Sequence, residues 1–211
     1  MKGILGLLRM SSRNNKPQQE HSDSVFFSTA FANQGVDPAM LVPWEARAVE
    51  VGAKRLPASK GGKLLQALWS KDKYMAHLDQ DAVRRMENFF EFAQVPPNRD
   101  LIRQDEYGNF MIVLLSGTIA VDRLQPWGEQ LRLAETRPGD ILGEMSLLDS
   151  GIRFSACTTL TDCEVAVLSA EGMDDMMVKD PQLAASLVAL LARKLSLRLR
   201  AVSARLSENQ K

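Results

Sequence analysis

The stretch PGDILGEMSLLDSGIRFSA, residues Pro138–Ala156, is where the chemistry of this chain concentrates. Gly143 removes side-chain bulk where backbone must approach a ligand, and the carboxylate of Glu144 follows at once. Met145 to Leu148, with Ser146 inside, reads as a single helical turn whose free N–H groups face an anion. Nine residues after Glu144 comes Arg153, whose guanidinium can grip a phosphate in two-pronged fashion. An acid for hydroxyls, with a helix start and an arginine for phosphate, describes a ribose-phosphate pocket. A surface Glu–Arg pair closing a β-turn fits the same letters, so the stretch by itself leaves both readings open.

Outward from it the pattern is β. Short apolar or alternating runs recur at Phe90–Val95, Met111–Leu115, Thr118–Val121, Gln130–Ala134 and Cys163–Leu168. Turn signals separate them at Pro96-Pro97-Asn98, Tyr107-Gly108-Asn109, Ser116-Gly117, Pro138-Gly139-Asp140 and Ser150-Gly151. Many short strands between Phe90 and Ser169 predict an antiparallel sandwich or roll. Upstream, Lys63–Trp69 has helical spacing, and Asp79 is placed to cap a helix through Val83 and Met86 to about Phe89. Downstream, Asp180-Pro181 starts a long helix. Its apolar residues Leu183, Leu187, Leu190, Leu191, Leu195, Val202 and Leu206 recur at three- and four-residue steps, with basic residues assigned to the other face. A helix of that length can dock on the roll and still offer apolar surface to a second copy.

Taken together, Tyr107–Gly117, the Pro138-Gly139-Asp140 turn, the Gly143-Glu144 to Arg153 cassette and Leu160–Val165 resemble the cyclic nucleotide-binding domain family, from about Leu78 through Leu206. That family includes catabolite activator proteins and the regulatory subunits of cyclic-AMP-dependent kinase. The resemblance implies an α+β fold, an eight-stranded antiparallel β-roll of jelly-roll type flanked by helices and ending in a long hinged helix. It implies that Glu144 bonds the ribose 2′-hydroxyl, that Arg153 holds the cyclic phosphate, and that amides near Met145 and Ser146 assist. Leu131 and Leu133 are candidates to border the base. The chain departs from the family in having Ile152 before the arginine and Phe154 after it, where a small or hydroxyl residue is usual. Phe154 either crowds the pocket or points into the roll, leaving Ser155 to help the phosphate. The ligand-binding set is therefore Gly143, Glu144, Met145, Ser146, Arg153, Phe154 and Ser155.

Composition bounds the rest. The 211 residues hold 26 basic and 26 acidic side chains, distributed as a basic residues 1–70, an acidic 71–180 and a basic 181–211. Zero net charge gives no overall footprint for nucleic acid. Only five residues follow Leu206, where family transcription factors continue into a helix-turn-helix, so direct DNA binding is not expected. Two Cys (Cys157, Cys163) and two His (His21, His77) match no zinc-site spacing, and the cysteines read as reduced core residues. No metal, cofactor or catalytic nucleophile is expected, and the protein is not read as an enzyme. Residues 1–62 read as a partly disordered N-terminal extension and 63–211 as the binding domain. Within the extension, Pro38, Pro43, Pro57 and Gly61-Gly62 beside Phe26, Phe31 and Trp44 suit a segment wrapped on a partner or weakly ordered. Residues 1–10 are apolar with Lys2 and Arg9, a membrane- or partner-docking helix or else a frayed end, the second being preferred. The expected protein is a cytoplasmic sensor of cyclic AMP or cyclic GMP, homodimeric through the last helix and signalling through a protein partner. The alternatives are a ligand-independent dimeric adaptor built on a degenerate domain, or a binder of a cyclic dinucleotide.

Overall fold

The structure, a computed structural model, describes residues 25–72, 75 and 78–208. His21, His77 and residues 1–10, read above, lie outside the described residues. The N-terminal segment forms α1 (Phe27–Asn33), a 3₁₀ turn (Pro38–Met40), α2 (Trp44–Glu50) and β1 (Lys54–Arg55). Helices α3 (Ala58–Trp69) and α4 (Gln80–Glu87) follow. The roll comprises β2 (Glu91–Val95), β3 (Asp100–Ile102), β4 (Phe110–Ser116), β5 (Ile119–Leu124), β6 (Gln130–Glu135), β7 (Ile141–Leu142), β8 (Ala156–Thr159) and β9 (Cys163–Ser169). Helix α5 (Glu144–Asp149) interrupts it between β7 and β8, and α6 (Ala170–Lys179) and α7 (Pro181–Glu208) close the chain.

Two antiparallel sheets result, in the orders β1-β2-β9-β4-β7 and β3-β8-β5-β6. Strands β2–β9 make the expected eight, and β1 joins the edge of the first sheet by pairing Lys54 with Gln94 and Arg55 with Ala93. The run Phe110–Leu115 is apolar without alternation because both faces of β4 are covered. Phe110, Ile112 and Leu114 enter the core between the sheets. Met111, Val113 and Leu115 face a second core built with the helices. Strand β6, an edge with every residue exposed, is the opposite case.

Residues 25–57 pack on the roll of their own chain. Phe27 and Leu56 enter the helical core, and Trp44 and Val51 enter the core between the sheets. The glycine pair read as a mark of weak order lies inside α3. A Cβ on Gly61 would sit 2.3 Å from the Phe92 ring, and one on Gly62 would sit 2.0 Å from the Glu87 carboxylate. Glycine here lets a helix approach strand β2, a role composition alone does not distinguish from a linker. Helix α4 starts as expected, with Asp79 accepting from the Ala82 N–H at 2.5 Å.

Helix α1 is tied to α6 by one side chain. The buried carboxylate of Asp174 accepts from the backbone N–H groups of Phe26, Phe27 and Ser28 at 2.8–2.9 Å. At its far end, Gln34 donates to the Asp149 carbonyl of α5 at 2.9 Å. Helix α1 thus bridges the helix before α7 and the helix of the cassette. Asp174→Ala leaves three N–H groups without this acceptor and is expected to cost about 2 kcal/mol. Hydrogen exchange should then show the amides of Phe26–Ser28 losing protection, and unchanged protection would refute the tie.

Helix α7 corrects one expectation. Leu183, Leu187, Leu190 and Leu191 are buried, while Val202 and Leu206 are exposed, in keeping with apolar surface left beyond the roll; the correction concerns the basic residues. The stripe continues instead through Lys194 and Arg198, at four-residue steps from Leu190. Lys194 meets Asp72 at 3.2 Å and the Gly139 carbonyl at 3.5 Å. The basic residues are therefore not confined to a solvated face. No helix among the described residues is long and apolar enough to cross a membrane.

Candidate functional site

The cassette folds as strand, helix, loop and strand, with left-handed corners at Gly143 before the helix and Ser150 after it. Gly143 ends β7 and caps α5 with φ of 74°, a left-handed value that side chains disfavour. A Cβ there would also lie 2.7 Å from Arg153 Nη1, 2.8 Å from Ile102 Cδ1 and 3.2 Å from the Phe110 carbonyl. In this structure the group crowding Gly143 is thus the arginine of the same cassette.

Arg153 is 3% exposed. Its Nη1 donates to the Gly143 carbonyl and its Nη2 to the Phe110 carbonyl, both at 2.7 Å. The guanidinium lies 4.7 Å from the Phe110 ring centroid, a cation–π distance. It also lies against Gly108, where a Cβ would come within 2.7 Å of Nη2. Its backbone is pinned too, its N–H donating to Glu106 O at 2.8 Å and its carbonyl accepting from Asp105 N at 2.9 Å. Burial lowers its pKa to about 10, and the charge of Arg47 adds to the lowering while Glu144 and Glu106 oppose it. The side chain therefore stays cationic at neutral pH. Two of the five N–H donors of a guanidinium are used on carbonyls, which leaves three.

Glu144 opens α5 and is 4% exposed. Its Oε1 accepts from Arg198 Nη1 of α7, and Arg198 Nη2 donates to the Ile141 carbonyl at 2.9 Å. Arg198 is absent from the residues read off the sequence. Its signal was a cation standing where the leucine stripe of α7 should continue.

The other expected residues spread around this pair. Ser146 is buried and Met145 exposed, on successive positions of α5. Phe154 is 51% exposed, so its ring does not enter the roll. Arg123 stacks on it at 3.9 Å from the centroid and donates to its carbonyl. Ser155 is half-buried just before β8. Leu131 and Leu133 project from the exposed strand β6. Cys157 and Cys163 are buried free thiols, and burial pushes the Cys157 thiol up to about 12, keeping it neutral beside Arg153.

Residues 92–180, which contain the whole cassette, match the cyclic nucleotide-binding domain family. The Cyclic AMP receptor protein of Thermus thermophilus is 32% identical over 108 residues, covering 51% of this chain and 50% of that protein. Among solved structures, the Catabolite Activator Protein of Thermus thermophilus aligns with a TM-score of 0.54 and 29% identity over 62% of each chain. A cyclic nucleotide-binding domain from Methylobacillus flagellatus aligns with a TM-score of 0.67 over 72% of this chain and 86% of that one. At 23% identity the latter is a likeness of fold. The chain spans about half the length of the curated relatives it matches.

Proposed function

We propose that this protein is a regulatory sensor of a cyclic nucleotide, cyclic AMP or cyclic GMP, that acts through helix α7. The observation that carries the reading is the meeting of Glu144 and Arg153 around Gly143, with Arg153 Nη1 on the Gly143 carbonyl at 2.7 Å. This places a hydroxyl acceptor and a cation with spare donors on one corner, the two demands of a ribose cyclic phosphate. Amides of the first turn of α5 complete the phosphate grip, since Gly143 has no side chain to occupy them.

Signal transfer follows from the Arg198–Glu144 pair. Glu144 and Arg153 are nearly inaccessible as folded, so a ligand must open the site. A ribose hydroxyl approaching Glu144 competes with Arg198, and its binding shifts the end of α7 away from the roll. Leu197, Leu199, Val202 and Leu206 are exposed on that part of the helix. They suit a second copy or a protein partner, whose access the ligand would control in the cytoplasm.

Titration calorimetry with cyclic AMP, cyclic GMP and cyclic di-GMP tests the reading. Binding of a cyclic mononucleotide below about millimolar Kd is expected, and none below that value refutes the sensor. The adaptor reading has one observation in its favour: Glu144 and Arg153 already have protein partners. Binding of none of the three, with an intact dimer, would select it.

A further inference from the structure

Outside the matched residues 92–180, one cluster reaches the cassette from the N-terminal segment. Arg47 of α2 is fully buried, with Nη1 on Glu50 at 2.6 Å and Nη2 on Glu106. Arg103 contacts the same two carboxylates, pairing with Glu50 and lying 3.7 Å from Glu106. The loop so held is the one that pins Arg153, because Glu106 O takes the Arg153 N–H and Asp105 N serves its carbonyl. Residues 41 and 42 fix the next turn of that loop. Leu41 forms a parallel bridge with Tyr107, and Val42 N donates to Tyr107 O at 2.9 Å. Trp44 then meets the Phe110 ring edge-on, centroids 5.6 Å apart. The Arg153 guanidinium lies over the same ring, and its Nη2 also bonds the Phe110 carbonyl.

Two chains of contact therefore converge on one side chain. One runs Arg47, Glu106, Arg153 backbone; the other runs Trp44, Phe110, Arg153 guanidinium. We infer that residues 41–50 are part of the ligand site, with Arg47 and Trp44 as positioning residues that hold Arg153 aimed at an anionic phosphate. The physical need is plain. A guanidinium with three donors left for the ligand must not turn. Arg47 supplies the tether, its own charge being met by Glu50 and Glu106. A cation buried solely to glue α2 to the roll would need neither the link to the Arg153 backbone nor the aromatic stack.

The inference rests on the proposed sensor function, so its test has a readout without ligand. In the full chain, the Arg153 Nε–H resonance is assigned by its loss in Arg153→Lys. In Arg47→Met and in Trp44→Leu this resonance should shift and broaden before any ligand is added. Met86→Ala, which empties a fully buried position of α4 in the helical core, is the destabilised comparison and should leave it in place. Cyclic AMP affinity should fall about tenfold in Arg47→Met, recover in part in Arg47→Lys, and show no further fall when Arg153 is already alanine. Should Arg47→Met fail to fold, Glu106→Gln retains the backbone acceptor and removes the carboxylate that Arg47 and Arg103 share, and the same shift is expected. An unmoved Arg153 resonance in these variants, or a loss of affinity that adds in full to that of Arg153→Ala, overturns the inference. If the unaltered protein binds no cyclic nucleotide, the sensor reading fails, while the resonance still decides whether residues 41–50 position Arg153.

Discussion

Arg153→Ala is expected to abolish or weaken cyclic AMP binding by at least about tenfold, equivalent to 1.4 kcal/mol or more, and to destabilise the fold as well. The double effect follows from where the guanidinium sits. Its removal takes away the proposed phosphate grip and also leaves the Gly143 and Phe110 carbonyls without their donors. Each buried acceptor so stranded costs about 1–3 kcal/mol, offset in part because a desolvated cation is no longer buried, for a net loss of about 3 kcal/mol. Denaturant midpoints read the second effect and calorimetry the first. Arg153→Lys separates them, since an ammonium keeps the charge but lacks the planar fork that serves two carbonyls and a phosphate together. An alanine variant with wild-type midpoint and wild-type affinity would overturn both the structural and the ligand role.

Arg198→Ala is expected to act in the other direction on binding. Arg198 occupies Glu144 in this structure, and on the proposed mechanism a ligand must first displace it, which reduces apparent affinity by the fraction of open protein. The Arg198 side chain is 49% exposed and Glu144 only 5%, so the pair is screened on one side and buried on the other. Its coupling is about 1 kcal/mol, which predicts roughly fivefold tighter cyclic AMP binding once it is removed. Stability should fall at the same time by about 1–2 kcal/mol, because Glu144 loses its cation while remaining buried. Tighter binding in a less stable protein is the signature of a latch. Weaker binding would instead make Arg198 a contact of the ligand itself.

Much of the roll was legible because its strands are runs bounded by turns. β2, β4, β5, β6 and β9 coincide with the apolar or alternating segments, and Asp79 and Pro181 mark helix starts as their chemistry predicts. The strands not read, β1, β3, β7 and β8, are two to four residues long, too short to show a period. Helix α6 carries acidic residues at Glu171, Asp174 and Asp175 that mask its buried face, and one of them, Asp174, turns inward to hold α1. At the site, Gly143, Glu144 and Arg153 lie within eleven residues and were readable as a group. Arg47, Glu106 and Arg198 come from three distant places in the chain. Nothing local links a guanidinium at 47 or 198 to the cassette, since only the closed roll brings them there. The glycines at 61 and 62 show the same limit from the other side. Their letters signal a loop, whereas the Phe92 ring leaves no room for a side chain at 61 and the Glu87 carboxylate none at 62.

The tryptophans carry a consequence of an optical kind. The chain has three, each in a different setting. Trp127 stands 73% exposed at the β5–β6 turn, where a dissolved quencher can reach its indole. Trp69 is enclosed in the helical core, edge-on to Phe90 at 5.6 Å. Trp44 is shielded too, but it touches the ring that carries Arg153. With Trp127 and Trp69 replaced by phenylalanine, the remaining emission would come from a fluorophore one ring away from the Arg153 guanidinium. If the proposed site binds its nucleotide, Trp44 emission should change on titration, an unlabelled reporter of occupancy.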